Sequence, residues 1–181
     1  MEAPDNRKLY ADARAALEDH LARVKSLMLA TLGNDGWPHA SYAPFVRNVD
    51  GAFCIFVSDL SEHTENLRRS PNVSILLIED EQDTRELFAR RRLSLRARAT
   101  IIPRADPDWA RLANVFQQRF GGIVEVFRQL GDFRLVRLTP TGGSFVTGFG
   151  QAFELTGEQL DRLTHVDEAA VRRRASARAD P

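Results

Sequence analysis

The sequence predicts an α+β fold built on an antiparallel β-barrel, closed or nearly closed, with helices set between some of its strands. Three observations lead there. Short β-branched and apolar runs recur at close spacing. Turn signals such as Asn34-Asp35-Gly36 and Asp50-Gly51 join neighbouring runs as hairpins. Helical patterns separate only some of the runs, whereas a βαβ series needs a helix in every connection. The count comes to about six or seven strands.

In chain order, residues 6–26 read as a helix, because Tyr10, Ala13, Leu17, Leu21 and Val24 recur at helical spacing opposite Arg14, Glu18, Asp19 and Arg23. Residues 27–32 (LMLATL) are strand-like and lead through the Asn34-Asp35-Gly36 turn to a partner strand in HASYAPFVRNV. Pro38 and Pro44 place that second strand at an edge or give it a bulge.

Residues 53–80 form the unit around which the chain is organised. Residues 53–58 (FCIFVS) are apolar throughout, as a buried strand is. Asp59 and Ser61 offer N-cap oxygens to a short helix with Glu62 in its first turn, Arg68 and Arg69 in its last, and Pro71 as its stop. Residues 73–78 follow as a second strand, closed by Glu79-Asp80-Glu81. The start of the helix directs unpaired N–H groups beside the first strand, which suits a phosphate or a carboxylate. The alternative is a sheet connection whose caps serve folding alone.

Beyond this unit, residues 81–89 predict a short helix. Residues 91–102 (RRLSLRARATII) alternate most cleanly, with Leu93, Leu95, Ala97, Ala99 and Ile101 on one face and Arg92, Ser94, Arg96 and Arg98 on the other. Residues 107–120 are helical, with proline near the first position and Trp109, Leu112, Val115 and Phe116 as the apolar set. Gly121-Gly122 breaks that helix before another at 123–130. Residues 132–138 and 143–155 are the last strands. Thr156-Gly157-Glu158 begins a final helix, and the tail from Arg172 reads as a disordered end. The expected organisation is an N-terminal helix (1–26), a barrel domain (27–165) and a tail (166–181).

At 181 residues the chain suffices for one domain with a real core. No apolar run approaches membrane-spanning length, and the N-terminal stretch has no apolar signal core, so the expected location is cytoplasmic. Twenty-five acidic residues balance 25 basic ones, which argues against nucleic acid as a partner. The single cysteine, Cys54, lies inside a predicted strand and reads as a small buried residue; no Cys/His spacing suits structural zinc.

The segments LATLGNDGWPHASYAPFV, VSDLSEHTENLRRSPNVSILLIEDE and LFARRRLSLRARA, in that order, resemble the split-barrel, flavin-binding superfamily of pyridoxamine-phosphate oxidases. Within it, ASYAPFV, LIEDE, LFARRRL, QRFG, DFRLVRL and GFGQAFEL are most similar to the haem-utilisation (HugZ) family. The resemblance runs from Leu27 to His165. It implies a six-stranded split barrel, a homodimer with cofactor sites between subunits, and either flavin (FMN)-dependent oxidation or haem binding with oxidative ring opening. A dimeric binding module without redox activity is the third reading. Apolar residues in the second strand (Tyr42, Phe45, Val46), in DFRLVRL and in GSFVTGF exceed what one small barrel interior absorbs, and the excess predicts a dimer interface.

The resemblance also implies site residues. Ser58 and Arg92 fall where relatives touch cofactor, and Arg92 is a plausible anion partner or a solvated strand-edge charge. Where flavin-using relatives carry an Arg-Lys pair that grips phosphate, this chain has His63 and Thr64, a weaker clamp for a doubly charged anion. A protonated His63, the Thr64 hydroxyl and the helix N-terminus would still suit a carboxylate such as a haem propionate; the alternative for His63 is an ordinary helix-surface histidine. Haem iron needs an axial ligand, which relatives supply as a C-terminal histidine; the corresponding place here is Ala170 or Val171, so His165 is either a substitute ligand or only a histidine at a helix end. Asp132 reads either as a hydrogen-bond partner for a ligand imidazole or a hydroxyl such as Thr31, or as a turn or strand-start aspartate. His20 and His39 carry no expected role.

Overall fold

Eight strands hydrogen-bond in one antiparallel sheet, and the sheet closes on itself. The computed structural model describes residues 4–157 and 160–167, so the expected tail lies almost entirely outside the described residues. The elements are α1 (Pro4–Arg23), β1 (Ser26–Leu32), β2 (Pro38–Arg47), β3 (Phe53–Ser58), α2 (Glu62–Arg69), β4 (Asn72–Ile78), β5 (Arg92–Ile102), α3 (Pro107–Phe120), α4 (Ile123–Gln129), β6 (Phe133–Gly148), β7 (Gln151–Thr156) and β8 (Arg162–His165). The strand order is β3-β2-β1-β4-β5-β6-β7-β8, and β3 pairs again with β6. The first six strands of that order therefore form a closed barrel. The 133–138 half of β6 pairs with β3, and its far half carries β7, with β8 outside it.

Two cores hold this arrangement together. Inside the barrel, inward-facing residues such as Leu29, Phe45, Ile75, Leu95 and Phe145 meet Leu17 and Leu21 of α1. Outside it, α3 and α4 pack on β3 and the start of β6, burying Cys54, Phe56, Leu112, Phe116 and Leu135. Strand β3 is thus buried on both faces, which is why its sequence is apolar without alternation. The excess of apolar residues has the same cause: Phe45 and Val46 are 0% and 1% exposed within their own chain, so of the β2 residues assigned to an interface only Tyr42, 62% exposed, remains available.

Strand β5 alternates as expected, with Leu93, Leu95 and Ala97 buried. Elsewhere the elements differ from expectation. Residues 81–89 form two separate 3-10 turns, Glu81–Asp83 and Leu87–Ala89, instead of one helix. Residues 133–148 run as one strand through Pro140, Gly142 and Gly143, with the irregularity absorbed where the β5 register shifts between Arg96 and Ala97. The expected final helix is replaced, over its described part, by β8, whose Leu163 and His165 pair with Leu155 and Phe153.

Strand β2 changes partner along its length. Pro38–Pro44 pair with β1, whereas only Phe45–Arg47 pair with β3. The Phe45 N–H bonds Lys25 on the β1 side, so residues 38, 40, 42 and 44 direct their amide positions to the open side. Two of those four are prolines, which have no N–H to leave unpaired. No helix among the described residues is long and apolar enough to cross a membrane.

Candidate functional site

Where β2 and β3 part, the barrel is split. Tyr42, Ala43 and Pro44 on one side and Val57 and Ser58 on the other line a cleft of about 430 Å³. Its far wall is aromatic, built by Phe116 and Phe120 of α3, Phe127 of α4 and Phe133 of β6. Phe127 and Phe133 lie face to face, 4.3 Å between centroids and 7° between planes. Phe56 stands edge-on to both, at 6.0 and 5.8 Å. Rings packed on one another in this way give the cleft a rigid apolar wall, with little side-chain freedom left to lose when a guest binds.

The polar side of the cleft comes from the end of β3 and the first turn of α2. The Ser58 hydroxyl donates to Asp132 at 2.7 Å and accepts from the Leu60 N–H at 3.1 Å. Ser61 stands at the N-cap but makes no side-chain cap bond. Asp59, expected as a cap, is instead held by Arg134 in a two-pronged pair and by Arg68; the hydrogen bonds from Arg134 keep its carboxyl below the ordinary range.

His63 lines the same cleft and is 8% exposed. Its Nδ1 lies 3.0 Å from the Ser41 hydroxyl, while Nε2 is buried without a hydrogen-bond partner. Burial, with a smaller contribution from His39, lowers its pKa below 6.5, so the ring is neutral near pH 7. The shift works against the expected protonated His63, and its Nε2 has no hydrogen-bond partner. Thr64 is 1% exposed, and its hydroxyl is committed to the Ser58 carbonyl at 2.6 Å, so it is not free to hold an anion.

Within one chain Thr31 and Asp132 do not pair with each other. Asn66 donates to the buried Thr31 hydroxyl at 3.1 Å, and Arg69 in turn holds Asn66, which fastens α2 to β1. Asp132 is taken by Ser58.

Arg92 and His165 lie at the other end of the barrel. Arg92 begins β5, ten residues before Ile102, a separation on the order of 30 Å along a strand. Ile102 pairs with Leu135, near the Ser58 end, whereas Arg92 pairs with Val146. Val146 pairs with Ala152, next to Phe153, the partner of His165. Arg92 donates to its neighbour's carbonyl, Arg90 O, at 2.9 Å. His165 Nε2 is 3.0 Å from the Gly150 carbonyl, which can only accept, so Nε2 is the donor. One chain thus gathers Ser58, His63, Thr64, Thr31 and Asp132 at one end and sets Arg92 and His165 at the other.

Between the two ends runs the outer face of the sheet. Met28, Ala30, Ser74, Leu76, Ser94 and Ser144 floor an open groove of about 730 Å³, continued past Leu32, Pro38 and Arg98 by another of about 490 Å³. No group of three or more metal-ligating side chains occurs among the described residues. Sequence reasoning missed the aromatic wall. Its available signal was the recurrence of Phe116, Phe120 and Phe127 at helical intervals, interrupted by Gly121-Gly122.

Comparison with known proteins adds three findings. Residues 13–147 match the pyridoxamine 5'-phosphate oxidase family. The chain is 43% identical over 144 residues to a haem oxygenase, HutZ, of Vibrio cholerae serotype O1, covering 80% of this chain and 81% of the relative. Among solved structures, HutZ of Vibrio cholerae, described as a haem storage protein, superposes with a TM-score of 0.68 at 37% identity over 79% of this chain and 95% of that one. Campylobacter jejuni ChuZ superposes at 0.78 with 31% identity, over 88% of this chain and 64% of that one.

Proposed function

The chain belongs to the pyridoxamine 5'-phosphate oxidase family, in its haem-utilisation branch with HutZ, and on that premise we propose that it binds haem between two copies of itself and opens the ring oxidatively. One observation carries this reading: an aromatic-walled cleft of about 430 Å³ contains a buried, neutral imidazole nitrogen without a partner. Binding sites for cofactor-sized guests are of this volume, mostly apolar, with a few placed polar groups.

In this reading the aromatic wall with Phe127 and Phe133 would pack against the macrocycle, and Ser58 and His63 would border it. Arg92 of a second copy would hold a propionate, and His165 would be the ligand for the iron. Bound haem supplies the redox-active iron at which oxygen chemistry takes place. The protein's part is to orient the ring against the aromatic wall, to exclude water, and to set a neutral Nε2 beside it. The homodimer is supported by the separation of Arg92 and His165 from Ser58 and His63 within one chain. It is also supported by the open sheet face between them, where Met28, Leu32 and Tyr42 are 46%, 50% and 62% exposed.

Flavin mononucleotide fits less well. Its phosphate needs fixed cations at the first turn of α2, where this chain has a neutral buried His63 and a Thr64 whose hydroxyl is already used. A binding module without redox chemistry is separated by the same experiment. Haemin titrated into purified protein gives a Soret band saturating with bound haem; adding ascorbate in air then bleaches it, and His165→Ala shifts the initial band. A Soret band that survives ascorbate leaves a binding module, and a titration identical to free haemin overturns the haem reading.

A further inference from the structure

At the Arg92 end of the sheet, two loop tips carry large apolar side chains that their own chain leaves uncovered. The loop joining β4 to β5 is not slack. The Glu79 N–H donates to the Arg91 carbonyl at 2.9 Å, Arg90 pairs with Glu81 at 3.0 Å, and the side chains of Asp80 and Glu86 cap its two 3-10 turns. That bracing holds Leu87 and Phe88 in solvent, 61% and 88% exposed. The β6–β7 hairpin lies against the same loop, the two sharing a depression lined by Glu86, Ala89 and Gly148, and its tip residue Phe149 is 72% exposed. A rigid loop that displays rings is preorganised for a contact, since the ordering entropy is already met.

We infer that Leu87, Phe88 and Phe149 form an arm that docks on the rim of the split cleft in a second copy of the chain and completes its wall. The inference rests on the composite-site reading above. Arg92 is the first residue of β5, directly after this loop, so any arrangement that brings Arg92 to a partner's Ser58 brings Leu87 and Phe88 with it. The receiving rim has matching character: Ile123, Val126 and Leu130 on the outer side of α4 are 53%, 50% and 42% exposed, and Ile123 lines the cleft. A two-fold pair makes the contact twice, arm to cleft and cleft to arm.

Cross-linking tests the docking directly. Cys54, the only cysteine, is fully buried and its thiol is pushed up to about 11 by burial, so introduced cysteines react alone. Phe88→Cys and Ile123→Cys are prepared as separately tagged chains, mixed, and treated with a short bismaleimide. The expected product is a mixed cross-linked pair, in excess over either chain treated by itself. In parallel, Leu87→Ala/Phe88→Ala retains the mass of two chains by light scattering and loses about tenfold in haemin affinity. A two-chain mass without the mixed cross-link, or with unchanged haemin affinity, overturns the arm while leaving the dimer intact. A one-chain mass for the unsubstituted protein at micromolar concentration overturns the composite site and the arm together.

Discussion

The Ser58 hydroxyl donates a 2.7 Å hydrogen bond to Asp132, 74 residues further along the chain, and ties the end of β3 to the start of β6 at the lip of the cleft. A backbone bond from Asp59 N–H to the Asp132 carbonyl at 2.7 Å runs beside it. Asp132→Ala leaves the Ser58 hydroxyl without its charged acceptor and is expected to cost about 1–2 kcal/mol in urea unfolding. Haemin affinity falls with it, whereas Asp132→Asn, which keeps an acceptor oxygen, retains most of both. Equal losses in the two variants would mean that the hydrogen bond does not hold the lip.

Arg92 and His63 belong to opposite ends of one chain, so subunits carrying different lesions should complement each other. Arg92→Ala and His63→Leu are each expected to weaken haemin binding at both sites of their own homodimers. A dual-tagged heterodimer of the two has one site with both lesions and one with neither. It should bind one haemin with the affinity of the unsubstituted protein. Absence of that recovered site in a titration of the purified heterodimer counts against shared sites.

Gly143 sits where β5 and β6 approach most closely. A Cβ there would lie 2.2 Å from the Ser94 carbonyl oxygen and 2.5 Å from Leu95 Cδ2. The obstruction includes backbone, which cannot rotate away. Gly143→Ala is expected to destabilise the barrel by about 1–3 kcal/mol. Thermal unfolding measures this, and a melting temperature within a degree of the unsubstituted protein would contradict the close approach.

His20 of α1 is 2% exposed, 3.1 Å from the Leu77 carbonyl and 5.9 Å from the Phe145 ring. Burial holds its pKa below 6.5, with Arg91 acting in the same direction and the Leu77 carbonyl, Glu79 and Asp19 opposing. In the unfolded chain the imidazole takes its proton near pH 6.5, and in the folded chain only at lower pH. Stability from this group is therefore complete above about pH 6.5 and is lost as the pH falls towards the folded value; His63 acts in the same sense. The melting temperature should decline from pH 7 to pH 5. His20→Gln should flatten that decline, even though it lowers the value at pH 7.

The outline of the fold was legible in local sequence wherever burial is one-sided. The alternation of Leu93, Leu95 and Ala97 against Arg96 and Arg98 settles β5, and the turn residues settle the first hairpin. Three features were illegible because they depend on distant residues. Pro140, Gly142 and Gly143 look like a chain break, yet they lie within a strand that bends where β5 shifts register. Residues 162–165 become a strand only because β7 offers an edge. The second core under α3 absorbs Val46 and Phe56, which from sequence alone could equally well belong to an interface. For the site, Ser58, His63 and Thr64 are read together from their place around the start of α2, and they lie together there. The neutral state of His63 and the hidden Thr64 hydroxyl depend on burial, which residue spacing does not encode.

The open side of β2 has a consequence for how copies of this chain can meet. An exposed strand normally invites another to add on, and repeated addition is how β-rich chains grow into fibrils. Here Pro38 and Pro44 remove the first and last of the four amide donors that such a newcomer needs and leave only those of Ala40 and Tyr42. Strand addition at this lip is weakened to two central rungs. Association through it then leans on side chains, and side-chain contacts between two copies can close upon themselves and stop.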